Sequence, residues 1–255
     1  MCGRLDQNDI PRLLADFAWA DELFNRSHAE GSYNVAPGSW RPVLHVDEDA
    51  LFVDDMFWGY RSSWAEASGK IPVAINTRLE KITNRYWSGL LKRGRAIVPA
   101  HGWYEWTGEK GAKQPWHIHR GDGAPIYMAA LANVARDKAP INEPNREPNR
   151  EPNREPNGEP NHGPKDDVKS AHGFTIVTAD AQGGLVDVHD RRPVVLSAAD
   201  AALWLDPALP FEQAEQLLRS VALGPESFAW HAVDRAMGNV RQQGAQVAAP
   251  VDDQA

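Results

Sequence analysis

Short apolar runs, separated by turns that contain glycine or proline, dominate the chain and favour β-strands. They are densest in the middle of the sequence, where four runs follow one another closely. The predicted strands are Arg41–Val46, Leu51–Trp58, Ile71–Ile75, Ala96–Ala100, Gly102–Trp106, Trp116–His119, Ile126–Leu131, Phe174–Thr178, Val194–Leu196 and Phe228–Val233. Residues 33–38 are typical of a turn with an extended lead-in.

Fewer segments have the signals of helices. Asn8 or Asp9 followed by Pro11 is a helix start signal, and Leu13 and Phe17 supply the apolar spacing of a short amphipathic helix. The other predicted helices are Tyr86–Lys92, Ala198–Leu205 and Phe211–Val221. Because helices and strands do not alternate as in βαβ units, we predict an α+β fold with a curved, barrel-like mixed β-sheet core and peripheral helices.

One segment departs from this pattern. From Glu143 to His162 the tetrapeptide Glu-Pro-Asn-X repeats five times. Proline at every fourth position excludes helix and sheet interiors, and the repeat has no apolar residue to bury. We therefore predict one domain over residues 2–250, interrupted by a flexible insert at 137–172 and followed by a disordered tail at 251–255.

Composition narrows the class of protein. The 255 residues are 42% apolar and include one cysteine, so no intramolecular disulfide can form. No signal peptide or membrane-spanning run is visible, and we expect a soluble, cytoplasmic protein with no membrane partner. The net charge of −8 hides an asymmetry: residues 61–120 carry 11 Lys/Arg against 4 Asp/Glu. A locally basic surface can bind phosphates in spite of the acidic total.

That one cysteine, Cys2, directly follows Met1. Removal of Met1 would leave an α-amine and a thiol on the same residue, a 1,2-aminothiol. An α-amine titrates at roughly 7.7–8.0 and can add to an aldehyde to give an imine, which the thiol can close into a thiazolidine ring. The alternative is that Cys2 is only a small residue in a leading strand.

Two further motifs carry polar groups beside apolar runs. In Asn76-Thr77-Arg78-Leu79-Glu80 an amide, a cation and a carboxylate suit the orientation of a polar substrate, although a strand-ending turn with a salt bridge explains them as well. In Gly102–Trp106, strand alternation puts Trp103 and Glu105 on one face. Lost hydration would raise the pKa of Glu105 toward the range useful for proton transfer, unless the side chain faces solvent.

The last motif is His189-Asp190-Arg191-Arg192-Pro193. Histidine is the natural proton shuttle near neutral pH, and an arginine pair can grip a phosphate. We interpret His45, His117, His119 and His162 as structural or surface residues. No zinc-type spacing is present, so we expect neither a metal nor a cofactor.

Together these motifs closely resemble the SRAP family of abasic-site-processing proteins, of the bacterial type. The resemblance rests on Cys2-Gly3-Arg4, Tyr33–Gly38, Asn76-Thr77-Arg78, Gly102–Trp106, His189–Pro193 and Gly238-Asn239-Val240. It implies recognition of abasic sites in single-stranded DNA and a covalent crosslink through the N-terminal cysteine. The positions that match the family's active site are Cys2, Asn76, Glu105 and His189.

The resemblance also implies a DNA-binding surface. The positions that match phosphate contacts are Arg4, Arg78, Arg85, Thr178 and Arg191. Trp64, placed here in a polar loop, matches part of a wedge that interrupts base stacking. Ala65 stands where bacterial members often carry a second aromatic residue, which implies a weaker or differently shaped wedge.

On this resemblance we expect a monomer that acts on abasic single-stranded DNA at the nucleoid in the DNA damage (SOS) response. Its imine chemistry is of the lyase type, and the family's peptidase (protease, hydrolase) activity concerns residues before Cys2. Two other functions stay open. One is an N-terminal nucleophile amidohydrolase such as a glutamine amidotransferase, which also begins Met-Cys-Gly. The other is a non-enzymatic single-strand-binding module whose tryptophans stack on bases.

Overall fold

The computed structural model describes residues 2–17, 23–109, 111–134 and 173–251. Its strands are β1 Leu5–Gln7, β2 Leu23–Asn25, β3 Ser32–Val35, β4 Trp40–Asp47, β5 Ala50–Trp58, β6 Asn76–Arg78, β7 Arg95–Ala100, β8 Gly102–Thr107, β9 Gln114–Arg120, β10 Ile126–Ala132, β11 Gly173–Asp180, β12 Arg191–Pro193, β13 Val195–Leu196 and β14 Phe228–Ala232. The α-helices are α1 Ile10–Leu14, α2 Ser63–Ser68, α3 Ser88–Arg93, α4 Ala198–Leu205 and α5 Phe211–Val221. The α+β class is confirmed.

The strands form two sheets. The smaller has the order β14-β9-β8-β1-β3, and the larger runs β12-β11-β10-β7-β4-β5-β2, with β6 and β13 attached to β11 and β10. An additional parallel pairing of β11 with β5, at Gly173↔Phe57 and Phe174↔Trp58, closes the larger sheet into a ring. This ring is the curved mixed core that the sequence predicts.

Alternation along the strands produces two main cores. One face of the larger sheet packs against the helices, through residues such as Ile97, Leu131 and Trp204. The other face packs against the smaller sheet, and Cys2 and Trp103 lie in that second core. Tyr104, the next residue after Trp103, belongs to a third cluster on the far side of the smaller sheet. The predicted division of Gly102–Trp106 between two faces is therefore confirmed.

Local signals explain most element boundaries. The Asp9 side chain accepts a hydrogen bond from the Arg12 N–H and caps α1, which ends as a 3-10 turn at Ala15–Phe17. Glu48 and Asp49 both have positive φ, of 47° and 66°, in the tight turn between β4 and β5. The helices predicted at Ala198–Leu205 and Phe211–Val221 have those bounds.

Two predictions of local structure were wrong. Ile71–Ile75 is not a buried strand, because Pro72 has no N–H to donate and Val73 is 46% exposed; the strand is Asn76–Arg78 instead. Trp64 lies in helix α2 rather than in a loop. That helix follows Ser62, an extended N-cap residue, and Gly69, with φ 63°, ends it in the left-handed conformation.

The predicted insert at 137–172 lies outside the described residues, as does all of the predicted tail except Val251. The Val251 N–H donates to the Ala232 carbonyl, 2.9 Å away. Among the helices of the described ranges, none has the length and apolar character needed to cross a membrane.

Candidate active site

The N-terminal arm is held in the interior by two elements. The Tyr104 N–H donates to the Arg4 carbonyl (3.0 Å), which extends the β1–β8 pairing toward Cys2. The Asn76 amide, at the start of β6, donates from Nδ2 to the Cys2 carbonyl (2.9 Å). Cys2 is fully buried, and its side chain lies in the core between the two sheets.

Glu105 projects from β8 into the same interior and is 2% exposed. Burial removes water from its carboxylate and raises its pKa from 4.5 to about 7. The solvent-facing alternative for this residue is thereby excluded. Burial also raises the pKa of the Cys2 thiol, and the neighbouring charge of Glu105 raises it further.

His189 approaches Glu105 from a different part of the chain. It follows the 3-10 helix Gly183–Asp187, and its Nε2 lies 3.9 Å from Oε2 of Glu105. The Arg191 N–H donates to His189 Nδ1 (2.9 Å), which places the proton of the neutral ring on Nε2, facing Glu105. Burial lowers the pKa of His189, so the neutral ring is favoured. Asp190 Oδ1, 2.7 Å from the same Nδ1, opposes this shift, but the pKa of His189 remains below its ordinary value.

Four residues far apart in sequence thus meet at one place: Cys2, Asn76, Glu105 and His189. A nucleophile, an amide that fixes it, a carboxyl group titrating near 7 and an imidazole together form an arrangement able to add a nucleophile to a carbonyl and move the protons. Their individual roles stay predictions.

Comparison with known proteins decides the family. The SOS response associated peptidase (SRAP) family matches residues 1–240. The chain belongs to the SRAP family. It is 37% identical over 256 residues to Abasic site processing protein YedK of Escherichia coli, covering 98% of this chain and 100% of that protein. It is 27% identical to Abasic site processing protein HMCES of Gallus gallus, covering 99% of this chain and 78% of that protein.

Solved structures agree with this membership. A phage-related protein from Bordetella bronchiseptica aligns with a TM-score of 0.68 at 34% identity, over 92% of this chain and 95% of that one. A protein from Bacteroides thetaiotaomicron aligns with a TM-score of 0.69 at 16% identity, over 98% of this chain and 100% of that one. At that low identity only the fold is shown to be shared.

The arginines that were predicted to bind phosphates differ in environment within this SRAP protein. Arg78 and Arg85 are exposed. Arg191 is 7% exposed, and its guanidinium is bound by the carboxylates of Glu80 (3.1 Å) and Asp180 and by the Thr178 carbonyl (2.8 Å). Thr178 itself is buried. Arg191 is thus already neutralised by two carboxylates, which a phosphate would have to displace.

The other two residues predicted to contact DNA are Arg4 and Trp64. Arg4 donates to Asn34 Oδ1 (2.6 Å) and lies over the Trp106 ring, 5.7 Å from its centroid. Trp64 is 59% exposed, whereas the following Ala65 is fully buried, so a larger residue at 65 would face the interior. The second arginine of the predicted pair, Arg192, donates to the Leu223 carbonyl and does not share a site with Arg191.

A histidine cluster was missed by sequence reasoning. The rings of His117, His119 and His231 lie 5.4 Å from one another, and His117 Nε2 lies 3.4 Å from Asp6 Oδ2. Burial raises the pKa of Asp6 to about 7 and lowers that of His117 to about 3, so His117 is neutral at neutral pH and this contact is not an ion pair. The spacing His117-Ile-His119 on a strand was the available signal. No group of three such side chains within the described ranges is arranged to hold a metal.

Proposed function

We propose that this SRAP protein recognises abasic sites in single-stranded DNA and bonds to them through Cys2. The observation that carries the proposal is the position of the Cys2 backbone, which Asn76 anchors beside a buried carboxyl group with a pKa near 7. An abasic deoxyribose supplies the aldehyde with which a 1,2-aminothiol reacts. The names of the relatives, which are abasic site processing proteins, support the same substrate.

The proposed reaction begins after Met1 has been removed. The α-amine of Cys2 adds to C1′ of the open sugar, and Glu105 in its protonated form delivers the proton with which the carbinolamine loses water. The Cys2 sulfur then bonds to the imine carbon while its proton passes to the ring nitrogen, so that one water leaves for each thiazolidine formed. The raised pKa of the Cys2 thiol supports this order, because the α-amine loses its proton at a lower pH than the thiol does.

Two more features support a role for Asn76 and His189. Asn76 Oδ1 is buried and has no hydrogen-bond partner among the described residues, so it can accept from a sugar hydroxyl. His189, whose Nε2 lies 3.9 Å from Glu105 Oε2, would move the proton that opens the sugar and would assist reversal of the crosslink. The imine is also the intermediate for β-elimination of the 3′ phosphate, and ring closure would suppress that lyase reaction.

Mass spectrometry after incubation with an abasic single strand tests the proposal. The expected product is the processed protein plus the oligonucleotide minus one water, joined at Cys2. Cys2→Ala should give none, and neither should a chain with one extra residue before Cys2, whose amine is blocked although its thiol remains.

The other outcomes have distinct meanings. Hydrolysis of glutamine without an adduct would identify an N-terminal nucleophile amidohydrolase. Equal affinity for intact and abasic strands, with no adduct, would identify a single-strand-binding module.

A further inference from the structure

A cavity of about 330 Å³ lies between α2, α3 and the end of β10. Its volume is at the lower end of the range of small-ligand sites, roughly 300–1,000 Å³. Its lining includes Tyr60, Ser62, Trp64, Arg85, Tyr86 and Arg93. The wall at Tyr60 is connected to the candidate active site, because Tyr60 forms a β-bridge with Ala74, two residues before Asn76.

Aromatic rings form one side of the cavity. Tyr86 packs edge-to-face against Trp64, with centroids 5.8 Å apart and planes at 79°. Tyr60 packs against Tyr86 in the same way at 6.0 Å. These contacts fix the rings but leave Trp64 59% exposed. An exposed indole held at its edge is a platform on which another flat ring can stack.

The charge of the cavity is positive. Its lining includes Arg85 and Arg93 and no Asp or Glu. Both arginines are exposed, and neither has a carboxylate partner among the described residues, in contrast to Arg191. The buried Ser62 Oγ also lacks a hydrogen-bond partner in the described part of the chain. The cavity therefore combines unpaired cations, an aromatic surface and a free hydroxyl.

We propose that this cavity takes one nucleotide of the strand that carries the abasic site, at a fixed position beside the lesion. Its base stacks on Trp64 and Tyr86 and meets Ser62 Oγ with a polar edge. Its phosphate is bound by Arg93 together with Arg85. This assignment rests on the proposed function and adds to it a base-holding subsite and Arg93 as a binding residue.

The proposed binding of a phosphate by Arg93 is tested by comparing Arg93→Ala with Lys92→Ala. The two residues are neighbours on α3 and lose the same charge, but Lys92 lies over the Phe211 ring, away from the cavity. The probe is a single strand with a tetrahydrofuran abasic analogue, which cannot form an imine, titrated by fluorescence anisotropy. Arg93→Ala should weaken binding about tenfold and lower the salt slope by about 0.7, the value for one single-strand phosphate. Lys92→Ala should change neither.

The proposed stacking of one base on Trp64 and Tyr86 is tested by removing one flanking base at a time from the same probe. Wild type should lose roughly 5- to 150-fold in affinity at one position only, as for one stacked base. In Trp64→Ala that positional loss should disappear. Equal effects of the two α3 variants, or no sensitive position, would overturn the proposal.

The adduct assay on a reactive abasic strand, run in parallel, distinguishes failure of the cavity assignment from failure of the proposed function. An adduct without a sensitive position means that only the cavity assignment fails. Absence of the adduct means that the proposed function fails.

Discussion

The chemistry of individual residues in this protein is set by desolvation. Burial raises the pKa of Cys2 and of Glu105 and lowers that of His189, so in each case it shifts the equilibrium toward the neutral form of the group. A carboxyl group with a pKa of about 7 can give and accept a proton at little cost at cellular pH. Glu105 is therefore the residue on which the pH dependence of the reaction should rest.

Glu105→Gln keeps the size of the side chain and removes the titrating group. In the wild type the carboxyl group is protonated below about pH 7, so the acid-assisted loss of water should slow as the pH rises above 7. At lower pH the α-amine, with a pKa of roughly 7.7–8.0, is increasingly protonated. The variant should crosslink roughly 100- to 10,000-fold more slowly. Its rate should also lack the descending limb, which is the decrease above about pH 7 in the plot of rate against pH. Single-turnover rates across the neutral pH range measure both effects, and an unchanged descending limb would assign it to another group.

At the scale of elements, one buried cation ties helices to the sheet. Arg95, at the start of β7, donates to the Trp204 carbonyl (2.8 Å) and the Asp206 carbonyl (2.6 Å) at the C-terminal end of α4. It also donates to the Leu91 carbonyl (3.3 Å) in α3. Carbonyls at a helix end have no partner within the helix, and a cation is favoured there by the helix dipole.

Arg95→Leu should lower the free energy of unfolding by about 3 kcal/mol or more, because buried carbonyls would lose charged donors. Urea denaturation measures the change. Arg219→Leu is the control, since Arg219 is half exposed and, within the described part of the chain, pairs with Glu215 alone, one turn away in α5. That control should change stability by less than about 0.5 kcal/mol. Equal losses in the two variants would mean that Arg95 is not a helix cap.

At the scale of the whole molecule, the closed larger sheet and the smaller sheet bring distant segments together. β10 and β11 are adjacent antiparallel strands with Ala132 opposite Phe174, although 40 residues separate β10 from β11 in the sequence. The Asn133 N–H donates to the Gly173 carbonyl (2.8 Å). The two ends of the repeat-containing segment therefore meet within one strand pair.

Replacing residues 137–170 with a short Gly/Asn turn should leave the fold and the crosslinking rate intact. The strand pairing already holds the two ends together, and loop-closure entropy changes only slowly with loop length. Thermal melts and the adduct assay check this. A drop in melting temperature of more than several degrees, or a slower reaction, would show that the repeat contributes to the domain.

The sequence by itself determined the features that depend on residues close together along the chain. Strand alternation was enough to separate Trp103 from Tyr104, and helix signals gave Ala198–Leu205 and Phe211–Val221. Local patterns failed at Ile71–Ile75, where Pro72 interrupts an apolar run, and at Trp64, where a short helix lies in a stretch that was predicted to be a polar loop. The motif resemblance to the SRAP family singled out Cys2, Asn76, Glu105 and His189, which the structure brings together, and their roles stay predictions.

Only the tertiary structure decided how those residues are arranged. The approach of His189 to Glu105 and the two carboxylates on Arg191 join distant segments of the chain. Among the described residues, neither Arg85 nor Arg93 has a carboxylate partner. The sequence contains the charges but not their distances or burial. Both quantities set pKa values and phosphate affinity, and they exist only once the sheets have closed around the N-terminal arm.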